Sequence, residues 1–342
     1  MRPVQAARSH KRIAVDAMGG DFAPENVIVG ACEALRETNN RFEILFVGPE
    51  AVINNHLQAV QHNGLAYKIV NAPEVIDMHD QATVALKQKK HSSIAVGMTL
   101  HKENKADAFV SAGHSGAVMS ASALILGRIE GIGRPTIGAF FPTDQGFSLL
   151  LDAGANVDCR PQHLYEFAAM GSIYTREMFN IQYPKVGLLS IGEESSKGNE
   201  VTKETYELLE RSKLNFIGNI EGRDILAGKA HVVVCDGFVG NIILKFAESV
   251  PVFFKSLLKQ YANKSVFSKL MGLMMRGTLK GALKTMDYEE YGGVPVLGVN
   301  GVSIIGHGKS SPKAIKNMIL KAEESINKNI DKRIQEAMAT GK

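Results

Sequence analysis

Apolar runs that end in glycine and give way to a helical pattern recur along the chain. In RIAVDAMGGDFAPENVIVGA, residues 12–31, a strand-like run is followed by a glycine pair, and a helix is predicted from Pro24. The same order recurs in ADAFVSAGHSGAVMSASALILG, FSLLLDAGANVDCRPQHLYEFA, VGLLSIGEESSKGNEVTKETYELL, HVVVCDGFVGNIILKFAES and VSIIGHGKSSPKAIKNMILKAEE. Continuous Val/Ile/Leu strands that alternate with helices predict an α/β fold with a largely parallel sheet. The glycine turns then lie at the carboxyl ends of strands, where such sheets bind ligands.

Length and composition narrow the class of protein. The 342 residues are 45% hydrophobic and 22% charged, which is enough for one large α/β domain or two smaller ones. We interpret residues 1–11 as a flexible tail, because they are basic without the apolar segment of a signal peptide, and residues 12–342 as a single α/β domain. No apolar run approaches the roughly 20 residues that span a bilayer.

Charge and cysteine usage exclude further classes. A net charge of +4 is too weakly basic to indicate a nucleic-acid partner. Cys32, Cys159 and Cys235 include no CxxC pair, which favours a reducing cytoplasm and argues against a zinc site.

One segment, residues 249–286, departs from the repeated pattern because it has seven basic residues and no acidic one. Apolar residues interleave at helical spacing, which predicts two amphipathic helices, a helical hairpin, with a break near residues 261–265. Such a hairpin suits an anionic membrane surface or an acidic protein; the alternative is a dimer contact with a solvated charged face. The residues expected to contact membrane or acyl carrier are Lys255, Lys259, Lys269, Leu270, Met271, Met274, Arg276 and Lys280.

The common catalytic motifs are absent from the sequence. GHGKSS is not a P-loop, since Ser303 stands where that motif requires glycine, and SAGHSGA lacks the GxGxxG dinucleotide fingerprint. Asp16, Asp152 and Asp236 could meet around a metal, but aspartates at such positions more often cap turns, so no metal is expected. What remains is many glycine turns followed by Lys, His, Ser and Asn, an inventory that suits an anion held by backbone N–H groups.

The opening stretch closely resembles that of the bacterial phosphate acyltransferase family, which makes acyl phosphate from acyl carrier protein thioesters and inorganic phosphate. The resemblance continues through SAGHSGAVM, GIGRPTIGAFFPT, LLLDAGANVD, AAMGSIYTRE, VGLLSIGEESSKGNE, NFIGNIEGRDIL and VVVCDGFVGNIILK. It implies a three-layer αβα fold similar to phosphotransacetylases and to isocitrate/isopropylmalate dehydrogenases. The chain departs from the family at His114-Ser115, where Asn-Thr is usual, and at Val239, where Thr is usual.

The resemblance also implies partners and a location. It implies a cytoplasmic homodimer that uses no cofactor, takes the acidic acyl carrier protein as partner and associates peripherally with the inner face of the cell membrane. Its product is expected to feed a membrane-embedded glycerol-3-phosphate acyltransferase, with a direct or indirect link between the two proteins.

The expected chemistry is direct attack of a phosphate oxygen on the thioester carbonyl, without a covalent enzyme intermediate. The expected catalytic residues are His307, Lys197, Asn241 and Lys245. Substrate and phosphate contacts are expected from Asp16, Gly19, Gly20, Gly113, His114, Ser115, Gly116, Asn156, Gly237, Gly240 and Gly308. Because Asp16 and Asp21 flank the glycine pair and repel phosphate, we expect them to accept hydrogen bonds and fix one wall of the site. A structural role for His307 and a solvated one for Lys197 remain alternatives.

Two other functions stay open on the sequence. One is a phosphotransacetylase-like enzyme of the same fold that acts on short acyl-coenzyme A. The other is a non-catalytic membrane scaffold built around the basic hairpin. A dehydrogenase has no fingerprint to support it.

Overall fold

The computed structural model describes residues 10–265, residue 277 and residues 292–339. The chain divides into two compact units, the first formed by Met1–Gly138, Ser172–Gln182 and Glu289–Lys342, the second by Ala139–Gly171 and Tyr183–Tyr288. The prediction of a flexible tail concerns residues that are mostly outside the described part, and β1 begins at Lys11. The single-domain interpretation stays a prediction.

Strands and helices alternate along the described residues. The strands are β1 (Lys11–Asp16), β2 (Phe42–Gly48), β3 (Tyr67–Asn71), β4 (Ala108–Ser111), β5 (Thr136–Thr143), β6 (Gly146–Leu151), β7 (Val186–Leu189), β8 (Phe216–Ile220), β9 (Val232–Val234), β10 (Val294–Leu297) and β11 (Val302–Ile305). The helices are α1 (Glu25–Glu37), α2 (Glu50–Leu57), α3 (Ala82–Gln88), α4 (Ser93–Lys102), α5 (Ser115–Ala121), α6 (Pro161–Phe179), α7 (Glu200–Glu210), α8 (Gly222–Ala227), α9 (Gly237–Ala262), α10 (Pro312–Asn327) and α11 (Ile330–Ala339). A π-helical turn, Ser122–Leu126, extends α5.

The first unit contains a mixed sheet in the order β3-β2-β1-β4-β11-β10. The pairs β1–β2, β1–β4, β2–β3 and β4–β11 are parallel, whereas β10 pairs antiparallel with β11 and with the start of β5. Parallel pairing brings the carboxyl ends of β1, β4 and β11 to one edge, and each of these ends enters a glycine turn.

Helices cover both faces of this sheet. Alternate strand residues point to opposite sides, so each strand contacts helices on both faces. Ile13 and Ile44 face α1 and α10 in one core cluster, which also holds Ile28 and Ile315. The neighbouring Ala14 and Leu45 face the opposite cluster with α4 and α5. The predicted three-layer αβα arrangement is thus present within this unit.

The second unit is built on parallel strands in the order β6-β9-β7-β8. Its central strands are continuous apolar runs: Leu149, Leu150 and Leu151 are all fully buried. That pattern is typical of strands covered on both faces. The α6 residue Gly171 lies directly against the side chains of Leu151 and Val232.

The predicted order of strand, glycine turn and helix is confirmed at all six places. The helix predicted from Pro24 is α1, with Pro24 as its N-cap. α9 ends at Ala262, within the predicted break. The second helix of the predicted hairpin falls on residues outside the described part, and so do Lys269, Leu270, Met271, Met274, Arg276 and Lys280.

Candidate active site

Asp16, the last residue of β1, is a fully buried carboxylate in the first unit. Its Oδ2 accepts a hydrogen bond of 2.6 Å from the Ser111 hydroxyl, and its Oδ1 accepts the Met18 N–H at 3.1 Å. Burial raises the pKa of Asp16, while hydrogen bonds from the hydroxyls of Ser111 and Ser93 oppose this shift. The carboxylate therefore organises the end of β1.

The glycine turns after β1, β4 and β11 touch one another. A Cβ built on Gly19 would lie 2.7 Å from the Gly113 nitrogen, so only glycine permits this approach. Gly20 has φ of +110°, and a Cβ there would lie 3.0 Å from the Gly308 carbonyl oxygen. That oxygen accepts the Asp21 N–H at 2.7 Å. The four glycines, which the sequence analysis expects in the site, therefore form one cluster with Asp21. The sequence did not indicate that Asp21 bonds to Gly308.

His114 is the N-cap of α5, and Ser115 and Gly116 begin that helix. The Nδ1 atom of His114 accepts the Ala117 N–H at 3.3 Å, and its Nε2 atom lies 3.0 Å from the Asp80 carbonyl oxygen. A ring that accepts at Nδ1 and donates at Nε2 is neutral, with its hydrogen on Nε2. Asparagine, which the resemblance implies at position 114, is a favoured cap, and histidine keeps the capping function and adds the bond to the Asp80 carbonyl oxygen.

His307, in the turn after β11, is half-buried and its ring orientation is fixed. Nδ1 accepts the Lys309 N–H at 3.1 Å, so the hydrogen of the neutral ring is on Nε2. The His307 carbonyl oxygen accepts the Ser310 hydroxyl at 2.6 Å, which closes the turn. In this tautomer the ring can donate a hydrogen bond through Nε2.

Asp152 organises the corresponding turn after β6 in the second unit. Oδ1 accepts the N–H groups of Gly154 and Ala155, at 3.1 and 2.9 Å. Oδ2 accepts both the backbone N–H and the side-chain amide of Asn156, at 2.8 and 2.7 Å. Four donors on one buried carboxylate make Asp152 a structural group of this turn.

The start of α9 packs onto this turn. Asp236 caps the helix by accepting the Val239 N–H at 2.8 Å, and the Gly237 N–H donates to the Asn156 carbonyl oxygen at 2.7 Å. The Asn241 side chain lies against Gly154, where a Cβ would come within 3.2 Å of it. Asn156, Gly237, Gly240 and Asn241 are therefore brought together. Lys245, one turn further along α9, is exposed and paired with Glu248 at 2.9 Å.

Lys197 lies in a separate loop of the second unit, between β7 and α7. The Lys197 N–H donates to the Glu194 carbonyl oxygen at 3.0 Å, and Asn199 caps α7 by accepting the Thr202 N–H at 2.9 Å. Within the described part of the chain, the Ser190 hydroxyl and the Asn219 Oδ1 atom are buried without a hydrogen-bond partner. Such groups are rare in folded proteins and costly to leave unpaired.

Sequence reasoning missed Ser111, Ser190 and Asn219. Ser111 ends β4 and Ser190 follows β7, each next to a predicted glycine turn, and that position was the available signal. Asn219 lies within β8, away from the predicted turns. No group of three or more His, Cys, Asp or Glu residues that could hold a metal occurs among the described residues.

α9 presents a long apolar surface. By length and composition it is the one described helix that could cross a membrane, yet little of it is buried. Its exposed apolar side chains are Phe238, Val239, Ile242, Phe246, Val250, Val252, Phe253, Phe254, Leu257 and Tyr261. Lys255 and Lys259 lie on its last turns, where both are exposed.

Comparison with known proteins identifies the family. A family model described as "Fatty acid synthesis protein" matches residues 11–333. The phosphate acyltransferase of Chlorobaculum parvum is 50% identical over 331 residues, which cover 94% of this chain and 97% of that protein. The phosphate acyltransferase of Halothermothrix orenii is 48% identical over 321 residues, covering 93% and 96%. The chain belongs to the phosphate acyltransferase family. The resemblance found in the sequence is confirmed, and the protein is an acyltransferase.

Solved structures support the fold. A phosphotransacetylase from Streptococcus pyogenes matches with a TM-score of 0.63 at 20% identity and covers 93% of this chain and 94% of its own. A branched-chain phosphotransacylase from Enterococcus faecalis matches with a TM-score of 0.55 at 13% identity, covering 92% and 99%. The expected similarity to the phosphotransacetylase fold is confirmed.

Proposed function

We propose that this acyltransferase converts long-chain acyl-[acyl carrier protein] and inorganic phosphate to acyl phosphate and free acyl carrier protein, for phospholipid synthesis. Membership of the phosphate acyltransferase family supports the reaction class. The proposal goes further than family membership in two respects. It specifies that the acyl donor is bound to acyl carrier protein and that the product is acyl phosphate.

The proposed chemistry is direct displacement. A phosphate oxygen attacks the thioester carbonyl, the carbon–sulfur bond breaks, and the carrier's sulfur leaves as a thiolate that takes up a proton. Two features support a route without an acyl-enzyme. Burial raises the pKa of Cys235 well above its usual value, so this thiol is not ionised at neutral pH. Asp16 accepts hydrogen bonds from the Met18 N–H and the Ser111 hydroxyl, and Asp152 and Asp236 accept hydrogen bonds within their own turns.

The orientation of His307 is the observation that carries the proposal. Because Nδ1 accepts the Lys309 N–H, the N–H of the His307 ring is at Nε2. We assign this donor to a phosphate oxygen, with the backbone of Gly113 and Gly308 beside it. Release of a proton from Nε2 to the leaving sulfur would leave an anionic ring, so we assign His307 to orienting phosphate and not to protonating sulfur.

The second unit holds the remaining residues that the sequence analysis expects to contact substrate. Lys197 is proposed as an anion-binding residue of this unit, because its N–H and the Asn219 side-chain amide donate to the same Glu194 carbonyl oxygen. A positively charged residue therefore belongs to the loop that packs on the unpaired Asn219 oxygen. Asn241 is assigned to the thioester carbonyl as an amide donor, whereas the Asn156 amide is bonded to Asp152 and shapes the turn. Each well-aimed donor to a developing oxyanion contributes about 3 kcal/mol. Lys245 is paired with Glu248, so of the two α9 residues we assign only Asn241 to substrate.

The exposed side of α9 supports the proposed assembly. Ile242, Phe246, Val250, Phe253 and Leu257 are spaced three or four residues apart and share one face of the helix. We propose that this face packs in a homodimer. Lys255 and Lys259, with the basic residues that follow them in sequence, are proposed to meet anionic lipid at the inner face of the membrane and the acidic carrier. This placement would deliver product to a membrane-embedded glycerol-3-phosphate acyltransferase.

Trapping with hydroxylamine tests the reaction. Purified protein, acyl carrier protein thioester and phosphate should yield a hydroxamate well above the background from direct attack of hydroxylamine on the thioester, and omission of phosphate should return the yield to that background. An acylated side chain found by mass spectrometry when phosphate is withheld would contradict direct displacement. Faster reaction with acyl-coenzyme A than with the carrier thioester would favour the phosphotransacetylase-like alternative. If neither donor gives hydroxamate above background, a non-catalytic membrane scaffold is the remaining function.

A further inference from the structure

Ser111, the last residue of β4, forms hydrogen bonds to residues at the ends of the two neighbouring strands, β1 and β11. Its hydroxyl donates to Asp16 Oδ2 at 2.6 Å and accepts the Gly113 N–H at 3.0 Å. Its carbonyl oxygen accepts the Gly306 N–H at 2.8 Å. The residue is 1% exposed, so these bonds are shielded from water.

These bonds belong to a closed set that links three turns. The Ser111 hydroxyl joins the turn after β1 to the turn after β4, and the Ser111 carbonyl joins the turn after β4 to the turn after β11. The Asp21 N–H completes the set by donating to the Gly308 carbonyl oxygen at 2.7 Å. β1 and β11 are not neighbours in the sheet, since β4 lies between them. Ser111 therefore lies at the centre of the three turns.

We propose that Ser111 is a positioning residue for phosphate, which holds Gly113 and the His307 turn at a fixed separation through its bonds to Asp16 and Gly306. The inference rests on the proposed function, in which Gly113 and His307 contact phosphate. Ser111 itself does not touch the substrate in this proposal.

The side chain is the part of this set that substitution can remove. The links from Gly306 and from Asp21 use backbone atoms and persist in any variant. Ser111→Ala deletes the link to Asp16 and leaves both the Gly113 N–H and one oxygen of a buried carboxylate without that partner. Since Gly19 and Gly113 are in backbone contact, we expect a local shift of these turns rather than a change elsewhere.

The chain offers a matched control in Ser303 on β11. Ser303 is also 1% exposed, lies in the same unit, and its hydroxyl is 3.0 Å from that of Ser122. Ser303→Ala thus removes a buried serine hydroxyl bond that belongs to none of the three turns.

Steady-state kinetics at varied inorganic phosphate then tests the inference. Ser111→Ala should raise KM for phosphate about tenfold, the effect of one misplaced hydrogen bond, with KM for the acyl donor changed less than about twofold. Ser303→Ala should leave both constants near wild type. If Ser111 and Asp16 act through one bond, the double variant Ser111→Ala/Asp16→Asn should be no worse than the more affected single variant.

Hydrogen exchange measured by mass spectrometry provides a readout that does not need activity. Peptides that cover residues 16–22 and 111–118 should exchange faster in Ser111→Ala than in Ser303→Ala. If Ser111→Ala fails to fold, the steady-state kinetics and the hydrogen exchange are measured on Asp16→Asn instead. We expect a smaller rise in KM for phosphate in that variant. Equal KM values for phosphate in the Ser111 variant and its control would overturn the inference. Absence of hydroxamate from the wild-type protein would instead count against the proposed function.

Discussion

Asp152 and Asn156 bind each other twice, since one carboxylate oxygen accepts both the backbone N–H and the side-chain amide of Asn156, at 2.8 and 2.7 Å. The remaining oxygen accepts two more N–H groups of the same turn. The turn is therefore shaped by its own aspartate, before any substrate binds. Because the N–H of Gly237 donates to the Asn156 carbonyl, the position of α9 follows from the shape of this turn.

Gly240→Ala tests how closely α9 packs on that turn. A Cβ at residue 240 would overlap the carbonyl oxygen of Asp152, a backbone atom that cannot rotate away. We expect the free energy of unfolding to fall by about 3 kcal/mol, at the upper end of the cost of overpacking. Urea unfolding measures this. The control is Gly222→Ala, where a Cβ would meet nothing within 4 Å, so stability should be unchanged or slightly higher. Equal losses in both variants would contradict the close packing.

His114 variants test the capping role of this histidine. His114→Ala removes the acceptor for the Ala117 N–H, and loss of an N-cap costs about 1 kcal/mol. His114→Asn retains a capping side chain and loses only the contact with the Asp80 carbonyl. We expect the melting temperature to fall clearly in the alanine variant and little in the asparagine variant. A larger loss in the asparagine variant would show that the bond to residue 80 matters more than the cap.

The raised pKa of Asp16 predicts a pH dependence of stability. A carboxyl group whose pKa is higher in the folded state binds its proton more tightly there, so it stabilises the fold below its ordinary pKa of 3.8. This contribution is lost as pH rises through the raised pKa. Asp16→Asn cannot titrate, so the stability of wild type relative to this variant should decrease as pH rises from 3.8 through the raised pKa. Parallel unfolding midpoints across that range would contradict the raised pKa.

Much of the fold could be predicted from the sequence, because local patterns of apolar residues and glycines specify its strands, turns and helices. The run 13–15 and the following glycines already specify a strand that enters a turn, and the other five motifs repeat this order. The helix from Pro24 and the end of α9 near Ala262 follow from capping and periodicity. The resemblance then supplied the class of enzyme.

Contacts between distant segments could not be predicted in the same way. The Ser111 hydroxyl joins residues 16 and 113, and nothing in SAGHS, residues 111–115, distinguishes this serine from Ser115. The unpaired oxygens at Ser190 and Asn219 depend on how β7 and β8 pair. The pairing of β11 with β4 is likewise non-local, because more than half of the chain lies between these two strands in sequence.

Variants at His307 test the neutral donor assigned to phosphate. His307→Ala should lower kcat/KM for phosphate by about 100-fold, the size of effect expected for a positioned catalytic side chain. His307→Asn, whose amide can accept from Lys309 and still donate, should lose less. The control His62→Ala changes a histidine of the same unit that is bonded to Tyr67 instead of a glycine turn. Hydroxamate yields measure all three, and full activity of the alanine variant would remove His307 from the mechanism.

The exposed face of α9 predicts self-association that depends on its phenylalanines. Phe246 is 70% exposed and Phe253 is 65% exposed, and burial of each in a dimer would contribute about 2 kcal/mol. The double variant Phe246→Glu/Phe253→Glu should therefore raise the dimer dissociation constant by at least about 100-fold, measured by sedimentation equilibrium. Tyr183→Ser is the control, since Tyr183 is 82% exposed but lies outside α9. If the double variant associates as tightly as wild type, the face does not form the dimer. Loss of binding to anionic vesicles in the same variant, with association intact, would assign the face to lipid.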